Sequence, residues 1–528
     1  MHVMKVQAYG LVLFTLLLAS VYGGNIVVIP VDGSHWLNMK NIIAALGAKG
    51  HTVTVIRPKN SWYIEETSPL YTAITLQDKG CLDQEFVQEH IAEMLKIRRE
   101  GSTWARLKIE KEMWDQMGEM IAKEKRMVLS MTENQELVQS MKDSKYDLCI
   151  TDPALLSGVL LCHYLKLPLV FNVRWTSHGE GHFAIAPSPL SYVPMPMLEL
   201  SDHMSFFERV LNVVMYLVSE FQLKYYMESD YSALCNQLFG PDVNYFELVQ
   251  GADLWLFRVD FIFEFPRPTM PNVVYMSGFQ CKPSKPLPQD LEDFMQSSGE
   301  HGVIVMSLGT MVELLPRDVT NAISEAFAEL PQKVVWKYKG ERPSTVGNNT
   351  LLMDWIPQND LLGHPKTRLF VAHGGTNGLQ EAIYHGIPIV GIGLVWDQPD
   401  NLSKMNVKGV AKNVDFATMT KDSFLEALKE VLYVPSYREN MQRLSRIHKD
   451  VPIKPLDNAV FWIEHTMRHG GAAHLRSESY KMPWYSYHSV DVLVFLMTVV
   501  LLFGFITYAI IKQVCCRLCF RKKCTKKE

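Results

Sequence analysis

The sequence predicts an α/β protein with two Rossmann-like domains that face a cleft, followed by a C-terminal transmembrane helix. Three observations support this fold class. Short apolar runs typical of buried parallel strands alternate with amphipathic helical segments in each half of the chain. A stretch with Pro283, Pro286 and Pro288 separates the two halves. Residues 492–511 contain no charged side chain and are numerous enough to span a bilayer as a helix.

Length and composition limit the possible functions. The chain has 528 residues, of which 48% are hydrophobic, and this is enough for two domain cores. The formal net charge of −4 provides no overall basic field, so nucleic acid is not expected as a partner. Five cysteines precede the transmembrane segment, and this odd number predicts no disulfide framework. No Asp-x-Asp pair occurs, so we expect no metal ion at a diphosphate.

Both ends of the chain have features of a membrane protein. Residues 1–23 contain Lys5, an apolar run and then small residues, which is the layout of a secretory signal peptide. A transmembrane helix is predicted at 490–511, and the basic tail at 512–528 indicates that this side lies in the cytosol. The sequence therefore predicts a single-pass type I membrane protein with a lumenal or extracellular body.

The predicted body has two domains. The first spans 24–280, a linker follows at 281–300, and the second domain spans 301–475. Both domains show the strand–helix–strand order of doubly wound folds, in which ligands bind at the carboxyl ends of the strands. Helices follow to about residue 470, and one of them is a candidate to pack back on the first domain.

A histidine and two glycines stand where a buried strand of the second domain gives way to a helix. The run "FVAHGGTNGLQEA" contains His373, Gly374, Gly375 and Asn377. Glycines leave backbone amides unshielded at a helix start, which favours a phosphate, and His373 and Asn377 add side-chain donors. The alternative is a tight turn that needs glycine for a positive φ, and the glycine pair alone does not decide between the two interpretations.

Neighbouring residues favour a nucleotide at this helix start. Glu381 lies about 9 Å further along the helix at ~1.5 Å per residue, where a carboxylate can bind both hydroxyls of a ribose. Trp355 can stack on a flat base and Gln358 can bond the edge of the base. The alternative for Trp355 is a core side chain, because tryptophans are highly buried on average.

Two more strand ends of the second domain supply polar groups. Asp397 and Gln398 follow a strand, and an acid–amide pair at a cleft edge is suited to sugar hydroxyls. Ser307, Gly309 and Thr310 end the first strand of this domain and can line the phosphates.

The first domain offers a candidate catalytic pair. His35 follows the first strand in "VDGSHW", and Asp152 ends another strand in "TDP", so both are expected at the same edge of the sheet. A histidine there can take a proton from a hydroxyl, and a carboxylate bonded to its ring would fix the tautomer and stabilise the imidazolium. Asp32 is expected to be structural, and a surface histidine is the alternative for His35.

The chain resembles the UDP-glycosyltransferases, and most closely the vertebrate membrane-bound UDP-glucuronosyltransferases. The resemblance covers nearly the whole chain and is found in "HGGTNGLQEAIYHGIP", "DQPDN", "WIPQNDLLGHPKT", "EFPRPTMPN", "MSLGTMV" and "VDGSHW". It implies the GT-B arrangement of two domains, an endoplasmic reticulum membrane location with the catalytic body in the lumen, and His35–Asp152 as the catalytic dyad. It also implies UDP-glucuronate as co-substrate, without a further cofactor, bound by His373, Asn377, Trp355, Gln358, Glu381, Asp397, Gln398 and Arg258.

The implied activity is the inverting, metal-independent transfer of glucuronic acid to a hydroxyl of small lipophilic acceptors. The sequence departs from the family pattern at Gly393 and Trp396, before Asp397–Gln398. A bulky Trp396 beside the sugar leaves UDP-glucose and UDP-N-acetylglucosamine open as donors. A non-catalytic lipophile-binding or partner subunit is a further alternative, and the sequence does not decide between a monomer and a homo- or hetero-oligomer.

Two further features concern the surface of the body. Asn348 begins an Asn-Asn-Thr sequon in a polar loop and is a candidate glycosylation site, whereas Asn401, in a second sequon, is expected to be inaccessible. Residues 204–238 have an apolar helical face that includes Phe206 and Leu217. We expect an ordinary core helix there, with lining of the acceptor site or contact with the bilayer as alternatives.

Overall fold

The computed structural model describes residues 23–77, 80, 83–101, 104–155, 157–174, 181–312 and 315–524. The predicted signal peptide, except for its last residue, and the final four residues of the tail lie outside these ranges. Contacts divide the chain into two compact units, Met1–Leu475 and Arg476–Glu528.

The first half of the larger unit is built on a sheet of seven parallel strands in the order β3-β2-β1-β4-β5-β6-β7. The strands are β1 (Asn25–Ile29), β2 (Thr52–Pro58), β3 (Thr72–Leu76), β4 (Leu148–Thr151), β5 (Leu169–Val173), β6 (Leu254–Phe257) and β7 (Val273–Tyr275). The helices are α1 (Ser34–Ala48), α2 (Gln84–Arg99), α3 (Ala105–Glu133), α4 (Gln135–Asp143), α5 (Ser157–Tyr164), α6 (Phe206–Gln222), α7 (Ser229–Phe239) and α8 (Tyr245–Gln250). Two short π-helical segments occur at Gly181–Ile185 and Leu223–Glu228.

The second half is built on six parallel strands in the order β10-β9-β8-β11-β12-β13. The strands are β8 (Val303–Ser307), β9 (Lys333–Lys337), β10 (Thr350–Met353), β11 (Thr367–Ala372), β12 (Ile389–Gly391) and β13 (Ala411–Asn413). The helices are α9 (Gln289–Gln296), α10 (Arg317–Ala328), α11 (Gln358–Leu362), α12 (Thr376–His385), α13 (Gln398–Val407), α14 (Lys421–Tyr433), α15 (Pro435–Lys449) and α16 (Pro455–His469).

Strand order places the candidate sites where each sheet reverses direction. In the first sheet the reversal lies between β1 and β4, which are paired so that Ile29 is opposite Thr151. In the second it lies between β8 and β11, where Ser307 is opposite Ala372. At such a reversal, the loops that follow the two neighbouring strands turn to opposite faces of the sheet. This opens a crevice at the carboxyl edge of the sheet. The chain therefore has two crevices of the same construction.

The structure refines the predicted domain plan at the linker and confirms it at one late helix. The predicted linker at 281–300 contains α9, whose Leu291 and Met295 lie in the core of the second half. The late helix α16 buries Ala459 and Ile463 in the core of the first half, which confirms the expectation that one late helix packs back there.

The cysteine prediction needs a correction. Cys149 on β4 and Cys162 on α5 form a disulfide, although the odd number of cysteines had predicted no disulfide framework. A strand and the helix that packs on it bring these two residues together, and this proximity cannot be seen from their spacing in the sequence. Cys235 and Cys281 are free thiols.

The expectation of a core helix at α6 is wrong. Phe206, Val210, Val213 and Leu217 are exposed, and Asn212 is the only residue of this helix that is fully buried. An amphipathic pattern identifies the apolar face of a helix, but it does not say what covers that face.

The smaller unit consists mainly of one long helix. It contains a short 3-10 segment (Glu478–Lys481), α17 (Trp484–Tyr487) and α18 (Val490–Cys524). Residues Val490–Leu518 of α18 are long and apolar enough to cross a membrane, with a mean hydropathy of 2.6. The predicted span at 490–511 lies within this helix.

Candidate active site

A cavity of about 460 Å³ lies between the two halves and contains most of the predicted site residues. They are His35, Ser307, Gly309, Thr310, Trp355, Gln358, His373, Gly375, Asn377, Glu381, Asp397 and Gln398. Asp152, Arg258 and Gly374 do not line the cavity. A hydrogen bond joins the two halves here: the side-chain amide of Asn38 on α1 donates to Oδ1 of Asn377, which lines the cavity, at 2.6 Å.

His35 and Asp152 form the expected pair. Nδ1 of His35 lies 2.6 Å from Oδ2 of Asp152, and 13% of the His35 side chain is exposed against 1% for Asp152. The second carboxylate oxygen accepts from the Ala154 amide at 3.0 Å. When Nδ1 donates to the carboxylate, Nε2 is left with the lone pair that can accept a proton.

Burial and charge keep this pair in the forms needed by a general base. Burial lowers the pKa of His35, Asp152 opposes this shift, and Arg174 and Arg258 add to it, so the imidazole is neutral at neutral pH. Burial alone would raise the pKa of Asp152, but His35 and Arg258 hold it below its usual value. An ionised Asp152 can therefore stabilise His35 when His35 takes up a proton.

Asp32 has the structural role expected for it. Its carboxylate accepts hydrogen bonds from the backbone amides of Gly33, Trp62 and Tyr63, at 2.6, 3.0 and 3.1 Å respectively. These bonds tie the turn before α1 to the loop after β2.

The two glycines after His373 serve different purposes. Gly375 lines the cavity, and a Cβ there would come within 2.6 Å of the His373 ring. Gly374 has a φ of +98°, and a Cβ there would lie 2.5 Å from the carbonyl oxygen of Gln398. The tight-turn interpretation therefore accounts for Gly374, whereas the start of α12 at Gly375 is open to a ligand.

His373 is held as a neutral ring against two glycines. A Cβ at Gly309 would meet the ring at 2.7 Å, so glycine permits this packing. Burial, followed by the charge of Arg174, lowers the pKa of His373 to about 3. A neutral His373 brings no positive charge to a phosphate, and it has a single N–H to donate, for which the Ser307 backbone is also a partner.

The predicted ribose and base contacts lie together on the far side of the cavity. Nε2 of Gln358 donates to Glu381 at 2.6 Å, and burial raises the pKa of Glu381 to about 7. Trp355 is 63% exposed, so it is not a core tryptophan, and Nζ of Lys337 lies 4.6 Å from its ring centroid. An exposed indole face at the cavity wall is available for stacking on a base.

Asp397 and Gln398 stand at the start of α13 and also line the cavity. Oε1 of Gln398 accepts from the amides of Leu394 and Val395 at 3.2 and 3.1 Å. Oδ2 of Asp397 accepts from Asn401 at 2.6 Å, and Asn401 is buried, as expected for the inaccessible sequon. Gln398 therefore shapes the loop before the helix as well as lining the cavity.

Comparisons with known proteins identify the family of the chain. The family model "UDP-glucoronosyl and UDP-glucosyl transferase" matches residues 24–528. The chain belongs to this family. A relative named UDP-glucuronosyltransferase 2C1, from Oryctolagus cuniculus, is 43% identical over 94% of this chain and 98% of its own length. UDP-glucuronosyltransferase 2A2 of Mus musculus is 42% identical over 97% of both chains.

Solved structures of glycosyltransferases share the fold at much lower identity. A UDP-glucose:anthocyanidin 3-O-glucosyltransferase in complex with UDP is 14% identical, with a TM-score of 0.57 over 85% of this chain and 100% of the other. Glycosyltransferase VinC in complex with dTDP is 17% identical, with the same TM-score over 84% and 100% of the two chains. These matches confirm the predicted GT-B fold.

Sequence reasoning missed three charged residues that line the cavity of this family member, namely Arg174, Lys337 and Asp360. Arg174 lines the cavity, and its guanidinium donates to Oγ of Ser34. It directly follows β5, just as Asp152 directly follows β4, so the rule that located Asp152 would also have located Arg174. The strand at β5 had not been identified, and its end was therefore not searched.

Arg258 lies next to this position and is buried. It directly follows β6 and is 2% exposed. Its three guanidinium nitrogens have no hydrogen-bond partner among the described residues. Burial, followed by the charge of Arg174, lowers its pKa to about 9, while Asp152 and Asp397 act in the opposite direction. Two guanidinium groups therefore lie within electrostatic range of the His35–Asp152 pair and of Asp397.

Proposed function

We propose that this protein transfers glucuronic acid from UDP-glucuronate to a hydroxyl of small lipophilic acceptors. The relatives named above are UDP-glucuronosyltransferases and match nearly the whole chain. The observation that carries the proposal for this particular sugar is the positive charge of Arg174, which lines the cavity, together with that of the buried Arg258 beside it. A buried guanidinium without a hydrogen-bond partner is costly, and a carboxylate on the bound sugar is the kind of group that would offset this cost.

The proposed reaction begins at the catalytic pair. Nε2 of His35 takes the proton of the acceptor hydroxyl while Asp152 holds Nδ1 and stabilises the imidazolium. The acceptor oxygen forms a bond to the anomeric carbon from the face opposite UDP, and the bond to the diphosphate oxygen breaks, so the configuration inverts. UDP leaves with the negative charge.

The proposed role of the second half is to hold the donor and receive this charge. The amides at the start of α12, beginning at Gly375, and the neutral His373 would hydrogen-bond the diphosphate. Asn377, Ser307 and Thr310 lie around the same position. Trp355 and Gln358 would hold the base, Glu381 the ribose, and Asp397 with Gln398 the sugar hydroxyls.

Competition between donors tests the identity of the sugar. Full-length protein in membranes receives UDP-glucuronate and UDP-glucose together with one phenolic acceptor, and products are measured by mass spectrometry. We expect the glucuronide to predominate, and we expect Arg258→Leu to reduce kcat/KM for UDP-glucuronate more than for UDP-glucose.

Two other results have clear meanings. An equal loss with both donors would assign Arg258 to the diphosphate and remove the support for glucuronate. Predominance of the glucoside, or of an N-acetylglucosaminide in a parallel assay, would replace UDP-glucuronate as the donor. Absence of turnover across a broad acceptor panel would favour a non-catalytic lipophile-binding subunit.

The location of the protein is part of the proposal. We propose residence in the endoplasmic reticulum membrane with the body in the lumen, which is supported by the apolar helix α18 and by the family. Asn348 is exposed in the segment before β10, as a lumenal glycosylation site must be. A mobility shift on enzymatic deglycosylation that is absent from Asn348→Gln would support both assignments.

A further inference from the structure

Helix α6 presents an apolar face to solvent. Nine large apolar side chains on this helix are exposed, and Phe207 reaches 79%. They are Phe206, Phe207, Val210, Leu211, Val213, Val214, Leu217, Val218 and Phe221. At 3.6 residues per turn they form one continuous stripe, and the charged residues Glu208 and Arg209 lie outside it. Contiguous apolar patches of this kind on a folded body mark an interaction surface.

A second cavity lies behind the same helix. It has a volume of about 390 Å³ and is lined on one side by Met215, Ser219 and Leu223, at the end of α6 and just after it. On the other side it is lined by Met113 and Trp396, which also line the active-site cavity. The second cavity therefore extends from the exposed helix to the wall of the active site.

The lining of the second cavity contains many apolar side chains suited to a lipophilic molecule of variable shape, together with the charged residues Arg98, Glu110, Glu199 and Asp400. Five methionines contribute to it, namely Met94, Met113, Met195, Met197 and Met215. Methionine side chains are flexible and polarisable, so they adapt to irregular apolar ligands. Trp396, whose backbone has a φ of +51°, stands between the two cavities.

We propose that the apolar face of α6 lies in the lipid surface and that the second cavity admits acceptors from the membrane toward His35. The lipid surface is favoured over a protein partner for two reasons. The same chain contains α18, which can span a bilayer, so the folded body works beside lipid. The stripe has no charge and includes aromatic side chains, which is typical of helices that lie in the membrane interface. The delivery of acceptors rests on the proposed function, whereas the lipid contact does not.

Photocrosslinking tests the contact directly. A photoreactive benzophenone amino acid is placed at Val214 in the full-length protein in phosphatidylcholine vesicles, and at Val407 as a control. The two side chains are exposed to similar extents, 48% and 50%, but Val407 lies on α13 and is not part of the stripe. We expect lipid adducts at position 214 and few at position 407. A crosslinked second copy, or no adduct at position 214, would overturn the lipid contact.

Kinetics test the delivery of acceptors. Two phenols with the same reactive hydroxyl are compared, one without a side chain and one with a long alkyl chain that partitions into membranes. For Val214→Ser/Leu217→Ser we expect KM for the long-chain phenol to rise about threefold or more with kcat unchanged, because less of the face enters the lipid. KM for the short phenol and all constants of Val407→Ser should stay unchanged.

A substitution inside the second cavity separates passage from membrane contact. Met215→Trp fills space beside α6 and should lower kcat/KM for the long-chain phenol while the short phenol is turned over normally. Equal effects on both phenols, or on neither, would overturn the passage. If wild type converts neither phenol, the proposed function fails, and the photocrosslinking result still stands on its own.

Discussion

The two halves of the body use one construction for different tasks. In both, the loops after two strands on opposite sides of the sheet reversal meet at one edge. In the second half the edge displays backbone amides, a neutral histidine and polar side chains drawn from a few short segments. In the first half it displays the His35–Asp152 pair and Arg174, and the remaining wall of the cavity includes apolar residues of α3 such as Met117 and Met120.

The difference follows from what each half has to recognise. A nucleotide has fixed charges and hydroxyls, so its site needs particular groups at particular places, and these remain visible as motifs. A lipophilic acceptor has few such groups, and its site is mostly apolar shape. Apart from Arg174 and Arg258, whose charge is proposed to select the sugar, variants in the first half should therefore change catalysis and acceptor use, and variants in the second half should change donor binding.

The largest effect is expected at His35. His35→Gln should lower kcat by about a thousandfold, because general bases contribute roughly 10²–10⁴ to rate. Since the pKa of His35 is lowered, wild-type kcat should stay level through neutral pH and fall only as the pH drops through that lowered pKa and the ring becomes protonated. The kcat values of wild type and His35→Gln, measured in membranes from pH 5 to 8, test both expectations.

The comparison between the halves supplies the control for His35→Gln. Titration with UDP-glucuronate should give an unchanged donor Kd, because His35 belongs to the first half. A large loss of donor affinity would mean that the two halves do not divide the work in this way. Asp152→Asn should retain the donor affinity of wild type as well.

The motifs show how much the sequence can predict. "FVAHGGTNGLQEA" located the turn that is proposed to bind the phosphates, because strand, turn, glycines and helix are adjacent in the chain. His35 and Asp152 were found as strand ends, although they are far apart in sequence and meet only through the β1–β4 pairing. The residues missed or misjudged depend on tertiary packing, namely Arg174 at an unrecognised strand and the exposed helix α6.

A smaller effect is expected at Glu381, in the donor half. Its pKa is raised to about 7, so the carboxylate is largely protonated at pH 6 and largely ionised at pH 8. Because the ionised form accepts the ribose hydroxyls better, KM for the donor should fall as the pH rises through this range. Glu381→Gln should raise KM about tenfold, as hydrogen bonds to charged groups contribute roughly 1.5–3 kcal/mol, and should abolish this pH dependence.

Acceptor kinetics provide the contrast for Glu381. KM for the acceptor should be the same in Glu381→Gln and wild type at each pH. A variant that keeps the pH dependence of donor KM would show that another group titrates, and the assignment of Glu381 to the ribose would lose its support.

The glycine pair separates folding from binding within one motif. Gly374→Ala should destabilise the body by about 1–3 kcal/mol, because a positive φ and contact with Gln398 both oppose a side chain. This change should lower Tm by several degrees in a thermal unfolding assay. UDP added at saturation should stabilise Gly374→Ala as much as wild type, but should stabilise Gly375→Ala less, because only Gly375 lines the cavity.

The smallest effect on the donor is expected at Trp396, although it lies next to Asp397. If the charge of Arg174 and Arg258 selects the sugar, Trp396→Ala should hardly change the preference between the two donors. The kcat/KM for UDP-glucuronate divided by that for UDP-glucose should stay within about threefold of the wild-type value, which corresponds to a free-energy difference of ~0.7 kcal/mol. Its main effect should be on bulky acceptors, because Trp396 separates the two cavities. A shift of the ratio toward UDP-glucose or UDP-N-acetylglucosamine would instead assign sugar selection to Trp396. The division between a polar donor half and an apolar acceptor half would then not hold at this residue, because one indole would serve both.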